Sequence, residues 1–235
     1  MNIKPFSIVI PLYNEEKNII NLYNEISISL SSISKIHYEI IFVNDCSTDN
    51  SSKILDILSK KHPKIKIITN NSNLGQSFSI KSGVTHSAHN TIVTIDGDGQ
   101  NNPVDIKKLL NTYFNSNYKL VGGIRKIRKD SLIKIISSKL ANKIRGSILN
   151  DNCIDSGCGL KIFDKNIFLK FEYFNGIHRF LPALFLGYGY ETHFLVVDHR
   201  KRQHGYSKYG TFIRLISGIK NIIKVKKIIN QNRNQ

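Results

Sequence analysis

The sequence predicts an α/β domain with a mostly parallel central sheet and helices on both of its faces. Three observations carry that expectation. Over roughly the first 120 residues, short β-branched runs alternate with longer stretches of helical periodicity, the pattern of repeated βαβ units, which close as a parallel sheet covered on both sides. Polar and glycine-rich residues gather directly after several of these strands, at the carboxyl-end crevice where such sheets hold ligands. The composition, 40% hydrophobic and 22% charged with 5 prolines in 235 residues, suffices for a buried core and disfavours long disordered stretches.

Taken in order, residues 6–10 read as a strand, 15–30 as a helix, 38–43 as a strand and 51–60 as a helix. Residues 65–69 form the next strand, a helix starts near Gln76, and 91–95 complete the regular series. The second half is less periodic. Residues 120–123 read as a strand, 131–149 as a basic helix, 155–159 as a turn and 160–163 as a short strand. A helix begins at 165–171, another covers 180–186 with a proline near its first turn, and 192–197 form a strand. The chain divides into a main domain over residues 1–210 and a basic amphipathic extension over 211–235.

The most informative motif is Asp96-Gly97-Asp98-Gly99-Gln100, directly after the strand at 91–95. Two carboxylates spaced i, i+2 at a strand end, with glycines permitting close backbone approach, can aim hard oxygens at one divalent cation and its bound phosphates. Asp-Gly pairs also make ordinary turns, so the motif alone leaves both readings open. Tyr13-Asn14-Glu15 and Asn44-Asp45-Cys46-Ser47-Thr48-Asp49 follow the first and second strands, giving three candidate ligand loops on one crevice. Neither a dinucleotide G-x-G-x-x-G nor a phosphate-loop G-x-x-x-x-G-K-[ST] occurs at a strand-to-helix junction.

The formal charge of +17, from 34 Lys and Arg against 17 Asp and Glu, is unevenly placed: no acidic residue follows Asp198. That asymmetry favours polyanionic partners, whether phosphorylated substrate, anionic membrane or nucleic acid, over a merely solvated basic face. Nucleic acid fits poorly, because Trp is absent, no RNA-recognition signature interrupts the sheet, and the acidic loops would repel a phosphate backbone. The cysteines, Cys46, Cys153 and Cys158, match no common zinc spacing and are expected as reduced cytosolic thiols. No secretory segment and no stretch of 18 apolar residues is present, so any membrane contact is expected to be peripheral. His86 and His89 are expected in surface or packing roles, without a third metal ligand nearby in sequence.

Together, residues 8–15, 43–49 and 96–100 resemble the inverting family-two glycosyltransferases in both order and spacing. Residues 123–130, 155–161 and 199–209 resemble the polyprenyl-phosphate branch of that family, typified by dolichyl-phosphate mannose synthase, and the likeness runs from Phe6 to about Lys227. The resemblance implies a single GT-A type nucleotide-diphospho-sugar transferase domain and transfer of a sugar from a UDP- or GDP-sugar to a polyprenyl phosphate, undecaprenyl or dolichyl. It places Pro11, Tyr13, Glu15 and Asp45 on base and ribose, Asp96 near ribose and metal, and Asp98 and Gln100 on Mg2+ or Mn2+. Arg125, with Arg128 and Ser137, is assigned to the acceptor phosphate; His199, Arg202 and Lys208 to a loop over the donor diphosphate; His178 and Arg179 to the vicinity of acceptor and sugar. Each assignment suits its chemistry, since carboxylates accept from hydroxyls and base N–H groups and a guanidinium grips phosphate as a fork.

A phosphate monoester acceptor is already anionic near neutral pH, so positioning and charge neutralisation can carry one direct displacement with inversion. Asp98, Arg125 and Lys208 carry that step in the expected assignment, with Asp155 as the residual candidate for a base or for orienting sugar hydroxyls. The rival reading, a glycan or lipopolysaccharide hydroxyl as acceptor, requires a general base. A lipid acceptor implies work at the inner membrane face. Phe212, Leu215, Ile216, Ile219, Ile222 and Ile223 recur at helical spacing beside Lys220, Lys224, Lys226 and Lys227. That stripe suits a helix lying in an anionic interface and equally a helix packed on the core, and a separate membrane protein is the other route to attachment.

Overall fold

The computed structural model describes residues 3–33, 36–125, 145–151, 153–202 and 211–233. A seven-stranded sheet runs through the molecule in the order β3-β2-β1-β4-β6-β5-β7. Its strands are β1 Phe6–Leu12, β2 Tyr38–Asn44, β3 Ile65–Thr69, β4 Thr91–Thr94, β5 Leu120–Arg125, β6 Lys161–Asp164 and β7 Thr192–Val197. The helices are α1 Ile19–Leu30, α2 Ser51–Lys61, α3 Gln76–Thr85, α4 Asp105–Phe114, α5 Lys165–Phe168, α6 Leu181–Gly187 and α7 Thr211–Arg233. Strands β1 to β4 pair in parallel, as do β5 and β7, whereas β6 is antiparallel to both β4 and β5. Two antiparallel steps restore the direction. The carboxyl ends of β1, β2, β4, β5 and β7 therefore share one sheet edge, and the start of β6 lies there too.

Alternation along β1 divides the core. Ile8, Ile10 and Leu12 face a cluster with Ile26 of α1 and Leu109 of α4, while Val9 faces the opposite cluster with Val84 of α3, Phe185 of α6 and Val225 of α7. Both sheet faces are covered, as the βαβ pattern predicts. Helix α4 is an element the sequence reading did not assign, although Ile106, Leu109, Leu110 and Tyr113 are buried at helical spacing.

The first helix begins at Ile19 rather than at residue 15. The intervening residues are held elsewhere: the Glu15 amide donates to Ser51 Oγ (3.1 Å), and the Glu16 amide donates to Asp49 (3.1 Å). Asn14 adopts a left-handed backbone (φ 54°) and its side-chain oxygen accepts from the Thr48 amide at 2.8 Å. The loops after β1 and β2 are thus tied into one unit.

Pro11 sits in a central strand, where it cannot donate to a ladder. The register explains the tolerance: β4 pairs with β1 only over Phe6–Val9, so Pro11 lies where the two strands separate. The crevice opens there, between strands whose chain connections leave in opposite directions along the sheet. At the far side, α7 packs Val225, Ile228 and Ile229 into the core, and a side chain at Gly187 would overlap Ile229.

Candidate active site

A cleft of about 200 Å³ at this opening is lined by Pro11, Leu12, Tyr13, Glu15, Asp45, Asn73, Gln76, Ser79, Asp96, Gly97, Asp98, Arg179 and Arg202. The structure thus brings together most of the residues singled out for the donor, with two cations facing them. Gln76 and Lys161 were not singled out as site residues. Gln76 donates to Asp96 Oδ1 at 2.7 Å, and the buried Lys161 adds a positive charge near the same carboxylate. The signal for Gln76 was its place at the N-terminus of α3, which points at the crevice.

Asp45 is buried and accepts from the amides of Leu74 (2.9 Å) and Gly75 (2.8 Å) and from Asn70 Nδ2 (2.7 Å). It therefore shapes the wall at residues 73–75 as well as lining the cleft. Glu15, also buried, accepts from Asn18 Nδ2 at 2.7 Å and pairs with Arg202.

Asp96 carries the most perturbed carboxyl of the cleft. Burial, then the charge of Asp98, push its pKa up to about 6, while Lys161, Arg125 and Arg179 pull the other way. Two carboxylates that resist joint ionisation in a desolvated cleft gain from a shared divalent cation. Among the described residues no group of three or more His, Cys, Asp and Glu forms a metal cage. The donor set fits Mg2+ or Mn2+ held by few carboxylates and completed by substrate oxygens. Glycine is required around Asp96: a Cβ at Gly159 would overlap its carboxylate, and one at Gly97 would stand 3.0 Å from the Pro11 carbonyl oxygen.

Gln100 supports the opposite rim, its Nε2 donating to the Arg200 carbonyl at 3.2 Å. Asn101 and His199 form a β-bridge, and Arg200 is anchored by Glu25 at 2.8 Å and by Asn102 at 2.9 Å. These contacts lead the chain from β7 across the cleft, so that Arg202 reaches Glu15 and comes within 4.0 Å of Asp98.

At the end of β5, Arg125 and Asp155 form a two-pronged pair: Nε to Oδ2 at 2.7 Å and Nη2 to Oδ1 at 2.6 Å, with the Arg125 amide also donating to Oδ2 at 3.1 Å. Both side chains are largely buried, at 11% and 7% exposure. The two residues given separate expected roles are one unit. His178 accepts from or donates to Ser77 Oγ through Nδ1 at 2.7 Å; burial, with Arg179 and Lys161 nearby, holds its pKa well below the ordinary histidine value. Ser77 Oγ also accepts from the Gly176 amide at 2.8 Å, which ties the His178 ring to the loop at 174–176. Arg128, Ser137 and Lys208 lie outside the described residues, as does most of the basic helix expected at 131–149, of which residues 145–149 are helical.

The fold is shared with solved glycosyl-transfer enzymes. Glucosyl-3-phosphoglycerate synthase from Mycobacterium tuberculosis superposes with a TM-score of 0.68 at 15% identity, over 94% of this chain and 77% of that one. Mannosyl-3-phosphoglycerate synthase from Rubrobacter xylanophilus superposes with a TM-score of 0.69 at 12% identity, over 98% and 75%. In sequence, the chain is 33% identical over 217 residues to the undecaprenyl-phosphate 4-deoxy-4-formamido-L-arabinose transferase of Shewanella sediminis, covering 92% of this chain and 65% of the relative. It is 32% identical over 211 residues to the dodecaprenyl-phosphate galacturonate synthase of Rhizobium johnstonii, covering 87% and 61%. The chain thus spans somewhat under two thirds of the length of these curated relatives. Residues 7–171, which contain all three strand-end motifs and the Arg125–Asp155 pair, match the model for glycosyl transferase family 2, and the chain belongs to that family.

Proposed function

We propose that the domain transfers a sugar from a nucleoside-diphosphate sugar to a polyprenyl phosphate, with inversion at the anomeric carbon. The observation that carries this reading is the meeting of opposite charges at one crevice: Glu15, Asp45, Asp96 and Asp98 line it together with Arg179 and Arg202, and the Arg125 guanidinium at the end of β5 is near enough to act on the Asp96 charge. An acidic cleft would repel a diphosphate by itself. Asp96 and Asp98 would hold Mg2+ or Mn2+, which supplies charge neutralisation of the departing nucleoside diphosphate. The Mycobacterium tuberculosis neighbour was solved with Mn2+ and UDP, so the shared fold accommodates a metal and a nucleoside diphosphate together.

The acceptor choice rests on this chain's own residues and on the relatives named above, both described as acting on prenyl phosphates. A hydroxyl acceptor needs a base. Asp155, the residual candidate, has both oxygens in the Arg125 fork, which suits it to orienting a guanidinium toward phosphate oxygens. An anionic phosphate needs alignment with the anomeric carbon and little else. Arg202 then exchanges its carboxylate partners for the donor diphosphate, and Lys208, Arg128, Ser137, His199 and Gln100 retain their expected roles around donor and acceptor. His178, held neutral by burial and hydrogen-bonded to Ser77, adds a polar ring without a charge.

The lipid is met at the inner membrane surface. No helix among the described residues is long and apolar enough to cross a bilayer. Ile219 and Ile223 of α7 are 52% and 67% exposed beside Lys220 and Lys227, and Ile148 lies against the same groove as Ile223, a surface suited to an anionic interface. On this reading residues 1–210 are the catalytic domain and 211–235 both complete its core and present its membrane-facing side.

The test is transfer from radiolabelled UDP- and GDP-sugars to a short polyprenyl phosphate with Mg2+ or Mn2+. A metal-dependent, organic-extractable glycolipid that is lost in Asp98→Ala is the expected result. Donor hydrolysis without any lipid product would move the acceptor assignment to a glycan hydroxyl.

A further inference from the structure

Lys161 is only 4% exposed, at the first position of β6 and in register with Thr94 of β4 and Gly122 of β5. An ammonium is costly to bury unless its donors are satisfied. Its acceptors are two carbonyls of one turn, those of Cys158 and of Ser156 (3.3 Å), and among the described residues no carboxylate lies within ion-pair distance of it. The same turn is fastened from two further points: Thr94 Oγ1 donates to the Gly159 carbonyl at 2.8 Å, and the Gly123 amide donates to the Leu160 carbonyl at 2.9 Å. It carries Asp155 at one end and, at the other, Gly159 against the Asp96 carboxylate. A shift of the turn moves both.

We infer that Lys161 is a positioning residue for the acceptor half of the site: its ammonium gathers the carbonyls of Ser156 and Cys158, fixes the turn at 155–160, and thereby sets the Asp155 fork that aims the Arg125 guanidinium. The inference rests on the reading that Arg125 meets the acceptor phosphate, but its structural part can be observed without any substrate. A lysine serving only as core packing would be replaceable by methionine, which matches its length and stem; a positioning lysine would not.

The experiment combines arginine Nε–H NMR with kinetics. In protein labelled with 15N-arginine, the Arg125 Nε–H signal, identified by its loss in Arg125→Lys, is expected to be resolved and protected from exchange by the Asp155 pair. In Lys161→Met it moves toward the solvent-exposed arginine position and the KM for polyprenyl phosphate rises about 30-fold, with a smaller loss of nucleotide affinity through Asp96 on the other end of the turn. Asp155→Asn produces a similar loss, and Lys161→Met adds little in that background, because the two act as one unit. Lys161→Arg, which keeps donors for both carbonyls, restores most of the signal and activity. An unmoved Arg125 signal in Lys161→Met, or losses that multiply with Asp155→Asn, would overturn the inference. If Lys161→Met does not fold, Lys161→Gln carries the same comparison with the same two deciding outcomes. A signal that moves in a protein that glycosylates no prenyl phosphate would leave the role of Lys161 standing and remove the acceptor reading instead.

Discussion

The acidic half of the crevice and its cationic half are held in different ways, and the difference bears on which substitutions each tolerates. On the acidic side, Asp45 and Asp96 follow β2 and β4 by one and two residues, and both are fixed by the segment that joins β3 to α3: Asp45 by the amides of Leu74 and Gly75, Asp96 by Gln76. On the cationic side, Arg125 is held by Asp155, from the turn that leads into β6, and Arg202 by Glu15, 187 residues away in sequence. The first half is a property of strand ends in a parallel sheet. The second exists only once β6 has reversed direction and brought the turn at 155–160 back to the same edge.

The largest effect is expected at the acidic side. Asp98→Ala is expected to reduce transfer by about 1000-fold or more, with loss of metal-dependent nucleotide binding, as measured by initial rates and titration calorimetry. A milder effect is expected across the crevice. Arg125→Lys keeps the charge but not the two-pronged geometry, so kcat/KM for the lipid phosphate should fall about 100-fold while nucleotide affinity stays near wild type. If nucleotide affinity fell in parallel, the two halves would not be separable.

Gly159→Ala tests where the halves touch. A methyl group there meets the Asp96 carboxylate, and we expect about a 30-fold loss of nucleotide affinity with a Tm lower by about 5 °C. The pH dependence of the metal-free protein separates charge from packing. With its pKa raised from 3.8 to about 6, Asp96 binds a proton more tightly in the folded state than in the unfolded one. Its contribution therefore favours folding below about pH 4 and is progressively lost as pH rises through 6. Asp96→Asn should flatten that part of the stability–pH curve and leave the protein slightly more stable near pH 7 in EDTA, although inactive. The smallest effect is expected at α7, where Lys227→Glu should weaken binding to anionic vesicles about 5-fold and leave transfer to a detergent-dispersed acceptor unchanged.

The same contrast explains how much could be read from the sequence. Strands β1 to β4 and their loops were legible because the βαβ pattern is local and the motifs stand directly at strand ends. Arg125 could be read as following the fifth strand at the carboxyl edge, where β5 ends, but its partner could not, because no local rule links Arg125 to Asp155. Helix α4 left a clear apolar stripe at Ile106, Leu109, Leu110 and Tyr113 that was overlooked beside the stronger motif before it. The start of α1 was placed too early because hydrogen bonds to Ser51 and Asp49, supplied by a different loop, override local helical periodicity. Lys161 stood inside a recognised segment, yet only burial and its two carbonyl partners distinguish it from an ordinary strand lysine.

On the proposed function, the sugar passes to a phosphate oxygen with inversion. Its most direct test is NMR of the product made from a nucleoside-diphosphate sugar carrying 13C at the anomeric carbon. One glycolipid is expected, whose labelled carbon couples to 31P and whose anomeric configuration is opposite to the donor's. A labelled carbon without phosphorus coupling, or with the donor's configuration, would contradict it.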